Sequence, residues 1–149
     1  MEIYRIAFIG HREIYESYLI TDALEKIAVE KICEKEYVEF YVGRHGDFDI
    51  LAASAVKMAQ RKIGHHNSSL ILLQPYKMKD DSYYEVFYDE VQYPVTAHPK
   101  AAIGLCNRWM IDRADLIIAF VEDERRGGAY TAIKYAEKVG VLSQKPNRI

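Results

Sequence analysis

The sequence predicts an α/β fold, a Rossmann-like three-layer sandwich around a mostly parallel sheet. Three observations carry this. Short apolar runs alternate with amphipathic stretches along the chain. The clearest run, Leu116-Ile117-Ile118-Ala119-Phe120-Val121, is apolar throughout, as a strand buried on both faces must be. Beyond it five charged residues and Gly127-Gly128 lead into a helical pattern at Ala129, Ala132, Ile133 and Ala136. The 149 residues suit one domain, 1–149, with one core.

Ile3 to Ile9 reads as the first strand, ending in the polar loop Gly10-His11-Arg12-Glu13. Residues 15–35 read as a helix. Ile20, Ala23, Leu24, Ile27, Ala28 and Ile32 share one face, with Glu25, Lys26, Glu30 and Lys31 largely opposite. Val38 to Val42 is the second strand, followed by Gly43-Arg44-His45-Gly46-Asp47. Asp47 or Asp49 is placed to cap the next helix, whose apolar face is Leu51, Ala55, Met58 and Ala59 and which stops near Gly64. Ser69 to Leu73 is the third strand, stopped by Pro75. Within 76–98, Tyr83, Tyr84, Phe87, Tyr88 and Val91 fit a helical stripe, capped by Asp80, Asp81 or Ser82; frequent tyrosines keep a β reading open. Pro99 suits the first turn of a helix running to about Arg113. The fourth strand and the Gly-Gly helix follow, with room for a short fifth strand near 147–149. Right-handed crossovers give the order 3-2-1-4, any fifth strand lying beyond the fourth.

That topology gathers the loops at 10–13, 43–47 and 127–131 onto the edge where parallel sheets hold ligands. Unpaired amides at the Gly127-Gly128 turn make an anion site, and Thr131 adds a hydroxyl. A tight turn with no ligand is the plainer reading of a lone Gly-Gly. Arg12 and Arg44 stand in edge loops and suit phosphate through a bidentate fork. Arg108, Arg125 and Arg126 are further candidates, although Glu122-Asp123-Glu124 competes for the last two. His11 and His45 lie on the same edge, where either could donate a hydrogen bond or serve as an acid or base. Gly10, Gly43 and Gly46 allow close backbone approach, and Asp47, Met110 and Tyr130 are secondary candidates. Asp115 reads as a turn residue at the strand's far end, and Trp109 as core or interface. His65-His66 reads as a helix-end pair, not a metal site.

Composition narrows the function. A net charge of −2 argues against a dominant nucleic-acid footprint. Cys33 and Cys106 fit no zinc spacing and read as two buried thiols in a reduced cytosol. No signal peptide or membrane span is expected, which points to the cytoplasm. No metal or cofactor is called for. A GxSxG turn, HExxH and a P-loop are missing, and Gly10 alone does not make a dinucleotide fingerprint.

Four segments carry a family resemblance: I-A-F-I-G-H-R-E (6–13), G-D-F-D-I-L-A-A (46–53), N-R-W-M-I-D-R-A-D-L-I-I-A (107–119) and G-G-A-Y-T-A-I-K-Y-A (127–136). Together the chain resembles the YpsA-like branch of the SMF/DprA–LOG, or SLOG, superfamily. The resemblance implies a Rossmann-like sheet, a small nucleotide-like ligand with its phosphate at the Gly-Gly turn, and a homo-oligomer. The lonely-guy enzymes of that superfamily cleave an N-glycosidic bond with a GGxGTxxE motif and an upstream arginine. Aligned on Gly127-Gly128, Thr131 matches the threonine, Tyr130 replaces the third glycine and Lys134 replaces the glutamate. Aligned on Met110 and Asp115, the arginine position holds Cys106. The expectation is therefore a nucleotide-binding, sensor-type domain. The alternative is a nucleoside 5′-monophosphate phosphoribohydrolase using other groups, such as Glu13, Asp47 or Asp49.

Overall fold

The computed structural model describes residues 1–11, 14, 17–44, 46–77, 80, 82–121 and 127–144. Its elements are β1 (Ile3–Gly10), α1 (Ser17–Glu34), β2 (Tyr37–Val42), α2 (Asp47–Ile63), β3 (Ser68–Leu73), α3 (Ser82–Phe87), β4 (Glu90–Gln92), α4 (Pro99–Arg113), β5 (Leu116–Phe120), α5 (Gly128–Val139) and β6 (Ser143–Gln144). The described strands form one sheet in the order β4-β3-β2-β1-β5-β6, and every pair is parallel. The inner order β3-β2-β1-β5 is the expected 3-2-1-4. β6 is a short strand beyond β5, at Ser143–Gln144; residues 147–149 lie outside the described residues.

Apolar strands buried on both faces need helices on both sides. α1 and α2 cover one face over Ile6, Phe8, Phe40, Leu70 and Ile118. α4 and α5 cover the other over Ala7, Ile9, Ile71, Leu73 and Ile117. Strand alternation sorts these residues between the two cores. Gly140 ends α5 in the left-handed region at φ 81, where glycine is favoured.

Four expectations are corrected. The aromatic stripe is not one helix to Val91: α3 ends at Phe87, and Val91 pairs with Leu72 in β4. Asp89 is the cause. Its Oδ2 accepts from Leu70 N at 2.7 Å and from Gln60 Nε2 at 3.0 Å, and its N–H donates to Leu70 O at 2.9 Å. Those bonds pin the chain to the sheet edge. Glu25 is not on a solvated face. It is buried between α1 and α2, with Oε1 2.6 Å from Lys62 Nζ. Met58 is exposed, and Phe48, Ala52, Ala55, Val56 and Ala59 form the buried face of α2. Neither Asp47 nor Asp49 caps α2; Gly46 stands at the N-cap with no side-chain hydrogen bond.

Asp115 sits at the far edge as expected. Its Oδ2 accepts from Arg5 N and its own N–H donates to Arg5 O, both at 2.8 Å, which fixes β5 against β1. At the other edge Gly10 is a packing requirement. A β-carbon there would lie 2.3 Å from Phe48 Cγ, and Phe48 is fully buried. Gly10→Ala is expected to destabilise the fold by about 1–3 kcal/mol, as overpacking does. Urea denaturation measures it, and an unchanged midpoint would show that Phe48 gives way freely.

Candidate functional site

The C-terminal ends of all the strands share one edge because the sheet is parallel. There the loop after β1 is stitched to its neighbours. His11 N–H donates to Phe120 O at 3.2 Å, and Phe48 N–H donates to His11 O at 3.4 Å. Asp47 Oδ2 accepts from Ile14 N at 3.0 Å. The structure thus brings Gly10, His11, Gly46 and Asp47 together, with those groups of His11 and Asp47 engaged in holding the loop. The His11 ring meets the Phe120 ring edge-on at 6.3 Å.

Arg44 follows β2 on this edge but faces aromatics. Its guanidinium carbon lies 5.0 Å from the Tyr84 ring centre and 5.9 Å from that of Tyr83. Burial opposes its charge, yet hydrogen bonding and charge interaction with Tyr88 and Tyr84 outweigh this and raise its pKa. Burial pushes the Tyr88 hydroxyl up while Arg44 pulls it down. Arg12, Glu13, His45, Arg125 and Arg126 lie outside the described residues. Gly43 is half-buried in the turn before Arg44.

The Gly-Gly turn begins α5. Gly127 takes φ 93 at the N-cap, a conformation that favours glycine. The amides of Gly128, Ala129 and Tyr130 precede any intrahelical acceptor, and Gly127 supplies no side-chain cap. Thr131 reinforces the turn: its N–H and hydroxyl both donate to Gly127 O, at 3.1 and 3.0 Å. Its hydroxyl proton is therefore held by the turn. Lys134 Nζ lies 5.4 Å from the half-buried Tyr130 ring and 3.3 Å from Glu137 Oε2.

A cleft of about 400 Å³ opens beside this turn, between α4 and α5. Gly104, Asn107 and Arg108 line it from α4, and Gly128, Thr131 and Tyr135 from α5. Arg108 lies 5.1 Å from the Tyr135 ring centre, and Tyr135 donates to Asp112 Oδ1 at 2.6 Å. That hydrogen bond raises the Tyr135 pKa. Sequence reasoning found Gly128, Thr131 and Arg108 but missed Gly104, Asn107 and Tyr135. Gly104 was the available signal. A glycine inside a helix destabilises it by about 1 kcal/mol relative to alanine. No positive φ requires this one, and a β-carbon there would meet no atom within 4 Å.

Cys106 and Met110 are buried in the core under α4. Burial, with a smaller contribution from Asp49, pushes the Cys106 thiol up to about 11. Cys33 is exposed, contrary to expectation, because it falls on the outer side of α1. Trp109 packs edge-on against Tyr41 at 5.9 Å, with Arg113 3.8 Å above it. Among the described residues no group of three or more His, Cys, Asp or Glu side chains is placed to hold a metal. Among them, too, no helix is long and apolar enough to cross a membrane.

The fold is thus a Rossmann-like α/β sandwich whose α5 N-terminus and α4–α5 cleft lie at the C-terminal edge of a parallel sheet. Among solved structures it is similar to DNA processing protein A (DprA) from Streptococcus pneumoniae, with a TM-score of 0.69 and 13% identity over 96% of this chain. The likeness is one of fold. The chain spans 50% of that DprA chain. No protein-family model matches the sequence, and no curated protein does.

In the folded protein at pH 8, a thiol reagent is expected to modify Cys33 and leave Cys106 untouched. Unfolding is expected to expose both, and mass spectrometry locates the label. The folded Cys106 value lies above its ordinary 9.0, so the unfolded chain loses that proton first. Stability is expected to hold below about pH 9 and to fall as pH rises toward 11, less steeply in Cys106→Ala.

Proposed function

We propose that this chain binds a nucleotide or nucleotide derivative as a sensor-type domain, with the phosphate at the Gly127-Gly128 turn. One observation carries the reading: the N-terminus of α5 borders a cleft large enough for a small ligand, with Arg108 on its wall. Amides and helix dipole favour an anion there, and the cleft gives the remainder of the molecule a place. Gly10, His11, Arg12, Gly43, Arg44 and Gly46 belong to the neighbouring loops and are the next candidates for contact. The YpsA-like branch, a homo-oligomer and a cytoplasmic location accompany this reading from the sequence resemblance.

The residues weigh against N-glycosidic hydrolysis of the lonely-guy kind. Cys106 is buried with a raised pKa, and Lys134 is exposed and paired with Glu137. Neither stabilises an oxocarbenium-like centre or protonates a leaving base. DNA is the partner suggested by the name of the DprA neighbour. The net charge of −2 gives such binding little electrostatic support.

Thermal denaturation with a panel of nucleoside monophosphates and nucleotide sugars tests the proposal. At least one compound is expected to raise the melting temperature, and Gly127→Ala, strained at φ 93, to reduce that shift at least threefold. A flat response across the panel defeats the reading. Release of free base, seen by chromatography, would restore the hydrolase, and a mobility shift surviving moderate salt would favour DNA.

A further inference from the structure

The α4–α5 cleft is walled by glycine on both sides. Gly104 stands mid-helix in α4, and Gly128 opens α5. Neither has a positive φ, and a β-carbon on either would meet nothing within 4 Å. Backbone geometry and packing therefore do not explain these two glycines. Their common effect is to keep side chains out of the space between two helices.

The rim narrows the chemistry. The Arg108 guanidinium lies over the Tyr135 ring, so one wall is already a stacking surface. Asn107 lines the same cleft half-exposed, and its carboxamide makes no hydrogen bond among the described residues. A carboxamide offers a donor and an acceptor side by side, the pattern that pairs with a nucleobase edge. Aliphatic acids and simple sugars use neither a stacking wall nor that paired edge as fully.

We propose that the cleft is a slot for the base of the ligand, held open by Gly104 and Gly128 and read by Asn107. This rests on the nucleotide reading above and assigns the two ends of the ligand: phosphate at the Gly127-Gly128 amides, base between α4 and α5. Gly104→Leu is the discriminating variant. Its side chain enters open space and replaces a helix-weakening residue with a strong helix former.

Amide chemical shifts are followed in wild type, Gly104→Leu and Asn107→Leu with three probes: adenosine 5′-monophosphate, adenosine and ribose 5-phosphate. The nucleotide is expected to move the amides of Gly104, Asn107, Gly128 and Tyr135. Gly104→Leu, with an undiminished melting temperature, is expected to weaken nucleotide binding at least tenfold and leave ribose 5-phosphate unchanged. Asn107→Leu is expected to weaken adenosine and the nucleotide alike. Adenosine moving the cleft amides while ribose 5-phosphate moves none would sink the phosphate assignment and keep the slot. Nucleotide binding unaffected by Gly104→Leu, a marked fall in that variant's melting temperature, or still cleft amides with both adenosine compounds would each overturn the slot.

Discussion

Phe48 occupies the space that a side chain on Gly10 would need, and the geometry of the ligand edge depends on that contact. Phe48 is fully buried at the start of α2. Its ring stacks on Phe120 at 6.2 Å and tilts against Phe8 at 6.5 Å. The first turn of α2 is thereby locked to the ends of β1 and β5 together. Only a residue without a β-carbon at the end of β1 lets the ring in. Once it is in, the amide of Phe48 reaches His11 O, and the Asp47 carboxylate reaches Ile14 N. The loop after β1 is held by packing first and by hydrogen bonds second.

That lock divides the edge into two parts. On the α2 side, polar groups are engaged with the protein itself: Asp47 holds a backbone amide and Arg44 sits among tyrosines. On the α4–α5 side, Gly128 at the start of α5 and Asn107 on α4 line a cleft. In the proposed reading, a ligand there displaces no hydrogen bond of Asn107 among the described residues. Arg44 would have to leave its aromatic partners before it could bind anything else. The open side is therefore the less costly place to begin binding.

Much of this was legible in the sequence because it rests on local pattern. Leu116 to Phe120 could only be a doubly buried strand, and Pro99 marked the start of α4. Gly127 belonged to a turn before a helix, and its φ of 93 explains why glycine is needed there. β4 was hidden because it has three residues, and Asp89 fixes its pairing through Leu70 and Gln60, far away in sequence. Glu25 followed the polar face of its helix by spacing alone, but Lys62 on α2 gives its buried carboxylate an ion-pair partner. The tyrosines beside Arg44 were not foreseen, because they lie on a later element. The cleft was invisible for the same reason: the gap between α4 and α5 is a tertiary property that no single helix encodes.

Four of the described arginines are engaged within the protein. Arg44 lies against Tyr83 and Tyr84, Arg108 against Tyr135, Arg113 against Trp109, and Arg5 against Glu39. Each cation is already committed to a ring face or a carboxylate, which fits a chain of net charge −2. In the proposed reading, backbone amides and the helix dipole are then the donors that these four arginines do not replace. Such donors are fixed in direction and act only within the first turn, so they discriminate by shape more than by charge. Selectivity among anions must therefore come from whatever else the ligand carries, and the cleft beside the turn is where the structure makes room for it.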